Sequence, residues 1–177
     1  MPNKTMPNKT LLDKTLPDKT MPTKTMPDDS LALERQVCFA LAVANRSVLA
    51  VYRPLLEPMG LTHPQYLVML ALWGETPMTV KDLASALQLD PATLSPLLKR
   101  LEAAALVTRT RNEADERQLR IELTPAGKRL RSRAEQIPAQ VVEKLDVTIA
   151  ELETLHQVLT RINKAAVASG LKRDDWT

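Results

Sequence analysis

Two features of this 177-residue sequence could take part in chemistry or binding. The first is Cys38, the only cysteine, whose thiolate form is a nucleophile that oxidants attack. The second is a basic segment: between Lys99 and Arg133 there are ten lysines and arginines but five acidic residues, against a net charge of +3 for the whole chain. Such a segment predicts a surface that binds a polyanion. A solvated charged surface without a partner is the alternative.

The rest of the composition argues against several classes of protein. A single cysteine excludes an internal disulfide, and with only His63 and His156 beside it the chain has no metal-ligand spacing. We therefore expect no metal and no cofactor. The N-terminus lacks the apolar stretch of a signal peptide, and no apolar run approaches the ~18 residues that would cross a bilayer. These features predict a cytoplasmic protein that does not enter a membrane.

Apolar spacing and helix caps predict a mainly α-helical fold with one small β-hairpin. Residues 1–29 repeat a proline-rich unit of five residues and are predicted to be a disordered tail. One folded domain is predicted over 30–170, followed by a C-terminal tail at 171–177. Helices are predicted over 31–56, 62–73, 79–87, 91–105, from 125 onward with a break at Pro138, and 148–167, and strands over 107–111 and 118–123.

The order helix, tight turn, helix and hairpin predicts a winged helix-turn-helix domain. The second helix of such a domain fits the major groove of DNA, which is ~12 Å wide. We predict that Thr93 and Ser95 face base edges in that groove, whereas Lys99 and Arg100 contact phosphates. Pro96 removes a backbone donor inside this helix, which predicts a bend or a loosened first turn.

The hairpin, or wing, adds Arg109, Arg111, Arg117 and Arg120. An arginine at its tip can enter a narrow minor groove, where the negative potential is strong. Asp115 lies two residues from Arg117, so on extended backbone both side chains point the same way and the carboxylate could orient the guanidinium. A solvated loop is the alternative. The candidate DNA-binding residues are Thr93, Ser95, Lys99, Arg100, Arg111, Asp115 and Arg117.

The first helix is apolar on more than one face between Val37 and Val43, which is unusual for a helix that faces water. We expect the helices at about 31–57 and 125–167 to form a dimerisation region around a DNA-reading part at about 62–123. A homodimer carries two reading heads, so the expected partner is a pseudo-palindromic operator in double-stranded DNA.

Several segments carry a resemblance to a known family. Residues 82–102 and the Asp-Glu-Arg of 115–117 are similar to the helix-turn-helix and wing of the MarR family of regulators. Within that family the sequence resembles the organic hydroperoxide resistance regulators, the OhrR group. The segments that match this group are 36–41, 52–56, 61–70 and 93–102.

The resemblance implies that Cys38 is a peroxide-sensing cysteine in a repressor that leaves its operator when the sulfur is oxidised. Tyr52 matches a tyrosine that holds the sulfur across the dimer interface in this group. His63 stands where the group usually has a second tyrosine, and Ala42 where another is common. No resolving cysteine lies near the C-terminus, so the chain resembles the one-cysteine type, whose redox partners would be an organic hydroperoxide and a small-molecule thiol.

Three other functions stay open at this point. The first is a MarR-type repressor released by a small aromatic or phenolic ligand in the dimer cleft, with Cys38 as inert packing. The second, from a different class, is a thiol peroxidase, which would need a resolving thiol and no charged hairpin. The third is a winged-helix adaptor that binds protein, against which the excess of basic residues argues.

Overall fold

The computed structural model of the chain describes residues 31–112 and 115–170, with side chains described for 31–111 and 119–170. The predicted tails at 1–29 and 171–177 lie outside the described residues, as do the side chains of Asp115 and Arg117. Within the described part the fold is mainly α-helical with a small antiparallel sheet. The predicted fold class is therefore confirmed.

Seven α-helices and three strands make up the described part of the chain. The helices are α1 (Val37–Leu56), α2 (His63–Gly74), α3 (Val80–Leu87), α4 (Pro91–Ala103), α5 (Pro125–Ala134), α6 (Ile137–Leu145) and α7 (Ile149–Ala168). The strands are β1 (Met78–Thr79), β2 (Val107–Asn112) and β3 (Asp115–Leu123), with β3 in the centre of the sheet.

Side-chain caps fix where most of these helices begin, and they are those that the sequence predicts. A capping side chain accepts a backbone N–H that the first turn would otherwise leave unpaired, which stabilises a helix by about 1 kcal/mol. The capping residues are Thr62 with Gln65 for α2, Thr79 for α3, Asp90 for α4, Thr124 for α5 and Thr148 with Glu151 for α7.

The first helix begins later than predicted and ends, as predicted, at Leu56. It begins at Val37 rather than Leu31, because Gln36 is extended and a short 3₁₀ turn (Leu33–Arg35) precedes it. Pro54 lies inside α1 instead of closing it. The chain turns only after a second 3₁₀ turn, at Gly60, whose φ of 67° suits a residue without a Cβ.

The sheet is larger than predicted. Strands β2 and β3 reach Asn112 and Asp115, so the predicted six-residue polar loop is mostly strand. The short strand β1 was not predicted; it pairs with β3 through Met78 opposite Ile121. The predicted break near Pro138 is confirmed, since α5 ends at Ala134 and Pro138 is the second residue of α6.

One apolar core lies among α2, α3, α4, the sheet and the end of α1. Its fully buried side chains include Leu56, Met69, Leu72, Leu83, Leu94, Leu98, Leu101 and Ile121. Leu119, predicted to share a face with Ile121 and Leu123, extends past this core and is 43% exposed. The core therefore holds the helix-turn-helix and the base of the wing together as one unit.

Two helices leave apolar side chains uncovered in the protomer. None of the residues of α7, all of which are described, is buried. The segment Val37–Met59 is also long and apolar enough, by length and composition alone, to pass for a membrane span. This departs from the expectation that no segment approaches that length. The segment nevertheless contains Arg46 and Arg53, and its end packs into the core through Leu56.

Candidate nucleic-acid interface and sensor site

The two helices of the helix-turn-helix pack as the sequence predicts. Leu83 and Ala84 of α3 are buried with Leu94, Leu98 and Leu101 of α4. The turn between the helices contains a left-handed residue, Gln88, and is closed by a backbone bond from Leu89 N–H to the Ala84 carbonyl. This packing turns the opposite face of α4 toward solvent, as entry into a groove requires.

The predicted base- and phosphate-facing residues of α4 all lie on that exposed face. At 3.6 residues per turn, Thr93 and Arg100 fall on one side of it and Ser95 and Lys99 on the other. Their role in DNA contact stays a prediction. No break occurs at Pro96, since α4 is continuous and the Leu94 N–H in its first turn donates to the Asp90 carbonyl at 3.1 Å. A bend at Pro96 stays a prediction.

The hydroxyls of α4 are already used as donors. The Thr93 hydroxyl donates to the Asp90 carboxylate, and the Ser95 hydroxyl donates to the Pro91 carbonyl at 2.8 Å. The bonds from Thr93 lower the pKa of Asp90, which keeps this cap charged. In this arrangement both hydroxyl oxygens are available as acceptors, which suits the amino groups of adenine or cytosine.

The wing arginines have different surroundings. Arg109 is bound to Glu102 of α4, with its Nε 2.8 Å and its Nη2 2.6 Å from the same carboxylate oxygen. It therefore joins the wing to α4. Arg111 is exposed and Arg120 is half-buried. Sequence analysis did not predict the role of Glu102, because no sequence pattern pairs a residue at the end of a helix with one in a strand seven residues later.

Cys38 and Tyr52 lie far apart within one chain. Cys38 is the second residue of α1 and is exposed. Tyr52 follows fourteen residues later on the same unbroken helix, a separation of about 21 Å along its axis. A single chain cannot bring the Cys38 sulfur against the Tyr52 hydroxyl, so a site that contains both needs a second copy.

Tyr52 and His63, in contrast, are in contact. Their ring centroids are 4.9 Å apart with an interplanar angle of 69°, an edge-to-face arrangement that aromatic pairs favour. Tyr66 lies beside Tyr52 at 6.0 Å. Sequence analysis did not single out Tyr66, although its spacing of three from His63 places both on one face of α2.

Burial keeps this aromatic pair uncharged near neutral pH. It raises the pKa of Tyr52 and lowers the pKa of His63, because a partly buried site disfavours the charged form of each. The pKa of Tyr66 is also raised, by burial and by the neighbouring Tyr52. His63 is therefore available to a bound group as a neutral imidazole with one N–H donor.

Two matches to known proteins bear on the family of this chain. Residues 61–119, which hold α2 to the wing, match the model of the MarR family. The chain is also 39% identical, over 140 residues that cover 73% of it and 95% of the relative, to the organic hydroperoxide resistance transcriptional regulator of Bacillus subtilis (strain 168). The chain belongs to the MarR family. As a MarR-family protein it is a DNA-binding transcriptional regulator of the OhrR-like kind.

Solved structures of MarR-family relatives include complexes with DNA. The structure of reduced AbfR bound to DNA is similar with a TM-score of 0.65 and 32% identity, and the match covers 80% of this chain and 99% of that one. Overoxidised AbfR bound to DNA is similar with a TM-score of 0.64 and 32% identity, over 79% of this chain and 98% of that one. AbfR is a protein of Staphylococcus epidermidis.

Proposed function

We propose that this MarR-family protein is a dimeric repressor that senses organic hydroperoxides through Cys38 and then releases its operator. The observation that carries the proposal is the placement of an exposed Cys38 and a neutral, donor-bearing Tyr52–His63 pair at opposite ends of α1. Two copies packed along this helix would bring them together. The 39% identity to an organic hydroperoxide regulator supports this chemistry.

The dimer is supported by apolar side chains that one protomer leaves in water. Exposed residues of this kind mark an interface when they form a contiguous patch. On α7, Leu155, Val158 and Ile162 follow helical spacing and are 37–50% exposed. Other exposed apolar side chains are Val37, Phe39, Leu41 and Val43, on more than one face of α1, and Ile149 and Val167 on α7. Burial against a copy of the same chain also accounts for the apolar character of α1 without a membrane.

The proposed reaction is an ordinary thiolate displacement. The Cys38 thiolate attacks one oxygen of the hydroperoxide O–O bond, the bond breaks, and the products are the sulfenic form of Cys38 and an alcohol. A small thiol then attacks the sulfenic sulfur to give a mixed disulfide and water. The Tyr52 hydroxyl and the His63 N–H of the partner are suited to donate to the thiolate.

DNA release follows from what the product adds to the interface. A mixed disulfide brings new bulk between packed helices, and packed interfaces shift rather than compress. The two recognition helices must span half-sites about 34–36 Å apart, so a small rotation of the protomers breaks their register. A pseudo-palindromic operator fits this symmetry, and a regulator of bacterial type meets its operator in the cytoplasm.

A binding assay with the region upstream of the protein's own gene tests this proposal. Reduced protein should shift the DNA, and addition of cumene hydroperoxide with a small thiol should abolish the shift. The matching alcohol, which lacks the O–O bond, is the control and should have no effect. Release that persists in Cys38→Ser would contradict the proposal.

A second candidate is release by a small aromatic ligand. An open cavity of about 400 Å³ between α2 and the helices α5 and α6 is lined by Tyr66, Leu70, Trp73 and Arg131. The Arg131 guanidinium lies 3.5 Å from the carboxylate of Glu135, which also lines the cavity, so the aromatic lining suits a small aromatic or phenolic molecule. This function would not need Cys38, so Cys38→Ser separates it from the first proposal. A thiol peroxidase would consume many equivalents of peroxide per chain, which a stoichiometric sensor does not.

A further inference from the structure

A series of aromatic contacts leads from the Tyr52–His63 pair along α2. Tyr52 lies 6.0 Å from Tyr66, and Tyr66 lies 6.3 Å from Trp73, ring centroid to centroid. Both separations are within the range where aromatic pairs attract. The helix α2 itself joins the same points, because His63 is its first residue and Trp73 lies in its last turn, about 15 Å away. Because both residues lie on α2, a displacement of His63 would also move Trp73.

Trp73 ends this series on the backbone of another element. Its indole N–H donates to the carbonyl of Gly127 at 2.9 Å, across 54 residues of sequence. Gly127 is the third residue of α5, which begins directly after the wing strand β3. The bond therefore joins the end of α2 to the base of the wing.

Gly127 also touches the connection between the recognition helix and the wing. A Cβ on Gly127 would lie 2.1 Å from the carbonyl oxygen of Leu106, closer than any real contact. Leu106 lies between α4 and β2, and its carbonyl accepts the backbone N–H of Thr124 at 3.1 Å. Three parts of the molecule thus meet at one glycine: the end of α2, the α4–β2 connection and the start of α5.

We propose that Trp73 is a positioning residue that couples the Tyr52–His63 pair to the wing through Gly127. A movement of α2 that follows a change at His63 would shift the Gly127 carbonyl, and with it the adjacent start of β2. Trp73 needs no contact with DNA for this role. The sensor end of the coupling rests on the proposed function, whereas the wing end rests on the contacts of Trp73 and Gly127.

A double-mutant cycle on reduced protein tests the coupling without any peroxide. Trp73→Phe keeps an aromatic ring against Tyr66 but removes the indole N–H, so the bond to the carbonyl of the buried Gly127 is lost. We expect roughly tenfold weaker operator binding and a shallower salt dependence, since the wing is displaced. In the double variant with Trp73→Phe and His63→Ala, the fold-change in operator affinity should differ by about threefold or more from the product of the two single-variant fold-changes.

The matched control is Gly74→Ala, the residue after Trp73. A Cβ there meets nothing within 4 Å, so operator affinity should stay that of the unmodified chain. Unchanged affinity in Trp73→Phe, or strictly multiplicative effects in the cycle, would overturn the inference. A full-length protein that ignores hydroperoxide would overturn the proposed function instead, because the cycle does not use oxidation.

A fluorescence measurement keeps the inference testable if Trp73→Phe does not fold. The sequence has two tryptophans, so Trp176→Phe leaves Trp73 as the single tryptophan. We expect the Trp73 emission to shift on addition of operator duplex, because the indole donor and the wing move together. An unrelated duplex of equal length is the control. A spectrum that the operator leaves unchanged would overturn the coupling.

Discussion

The guanidinium of Arg109 is bound to the carboxylate of Glu102, with Nε at 2.8 Å and Nη2 at 2.6 Å from the same oxygen. Arg109 is on β2 and Glu102 is in the last turn of α4, so the pair joins the wing to the recognition helix. The two elements that are predicted to contact DNA are therefore joined to each other by an ion pair.

Glu102→Gln should weaken operator binding by several fold, although it removes a negative charge from a DNA-binding face. Electrostatics alone would tighten binding, so a loss of affinity identifies a positioning role. The free energy of unfolding should fall by no more than about 1 kcal/mol, since the pair is partly exposed. Glu122→Gln makes the same charge change on the neighbouring strand β3 and is the control. Tighter binding by Glu102→Gln would show that the pair does not set the wing.

Arg117→Ala should weaken operator binding and lower the salt slope by about one unit if the wing enters the minor groove as the sequence predicts. The dimer should stay folded. Fluorescence anisotropy at several salt concentrations measures both quantities. Arg120→Ala removes the same charge from the half-buried middle of β3, and a slope that falls equally in both variants would argue against a contact specific to Arg117.

Leu155→Glu should convert the protein to monomers. In an isolated protomer Leu155 is 50% exposed, so a polar substitution there would change stability by only about 0.5 kcal/mol. In a dimer interface the same change places an unpaired carboxylate against apolar side chains, which is far more costly. Light scattering at micromolar concentration distinguishes the two. Glu153→Gln, two residues away on α7, is the control, and a dimer that survives Leu155→Glu would refute the proposed interface.

Cys38→Ser should bind operator as the unmodified protein does and ignore organic hydroperoxide. Unmodified protein, without a second cysteine, should need a small thiol to form a stable and reducible product, and without one should proceed to the sulfinic acid. Intact-mass spectrometry before and after a reductant separates these products. A reducible adduct formed in the absence of any added thiol would contradict the one-cysteine scheme.

His63→Tyr should retain the peroxide response and change its pH dependence. Burial lowers the pKa of His63 from 6.5, so the folded protein favours the neutral imidazole. The unfolded chain takes up a proton more readily, and the contribution of His63 to stability is full above pH 6.5 and is lost as the pH falls below it. Tyrosine does not titrate there. The thermal unfolding midpoint should change more between about pH 5.5 and about pH 7.5 in the unmodified protein than in His63→Tyr.

The parts of the fold that the sequence predicts well are those with local signals. Asp90 with Pro91, and Thr148 with Glu151, mark helix starts because a cap and its partner lie within one turn. The alternating apolar residues of the wing mark a strand for the same reason. These signals were enough to predict the helix-turn-helix and wing in their correct order.

The parts that could not be predicted depend on contacts between distant residues. Strand β1 has only two residues, too few for an alternating apolar pattern. It forms because Met78 pairs with Ile121 of β3. The bond from Trp73 to Gly127 likewise has no sequence signature. The ion pair of Arg109 with Glu102 was not predicted, because the two residues belong to different elements. Tertiary packing decides each of these cases.

The distance between Cys38 and Tyr52 along α1 has a genetic consequence. If each sensor combines the cysteine of one protomer with the tyrosine of the other, a chain with Cys38→Ser and a chain with Tyr52→Phe each give a defective homodimer. In a mixed dimer, however, the intact Cys38 of the second chain faces the intact Tyr52 of the first. One of the two sensors is then restored, so a cell that expresses both defective alleles should regain part of its peroxide response.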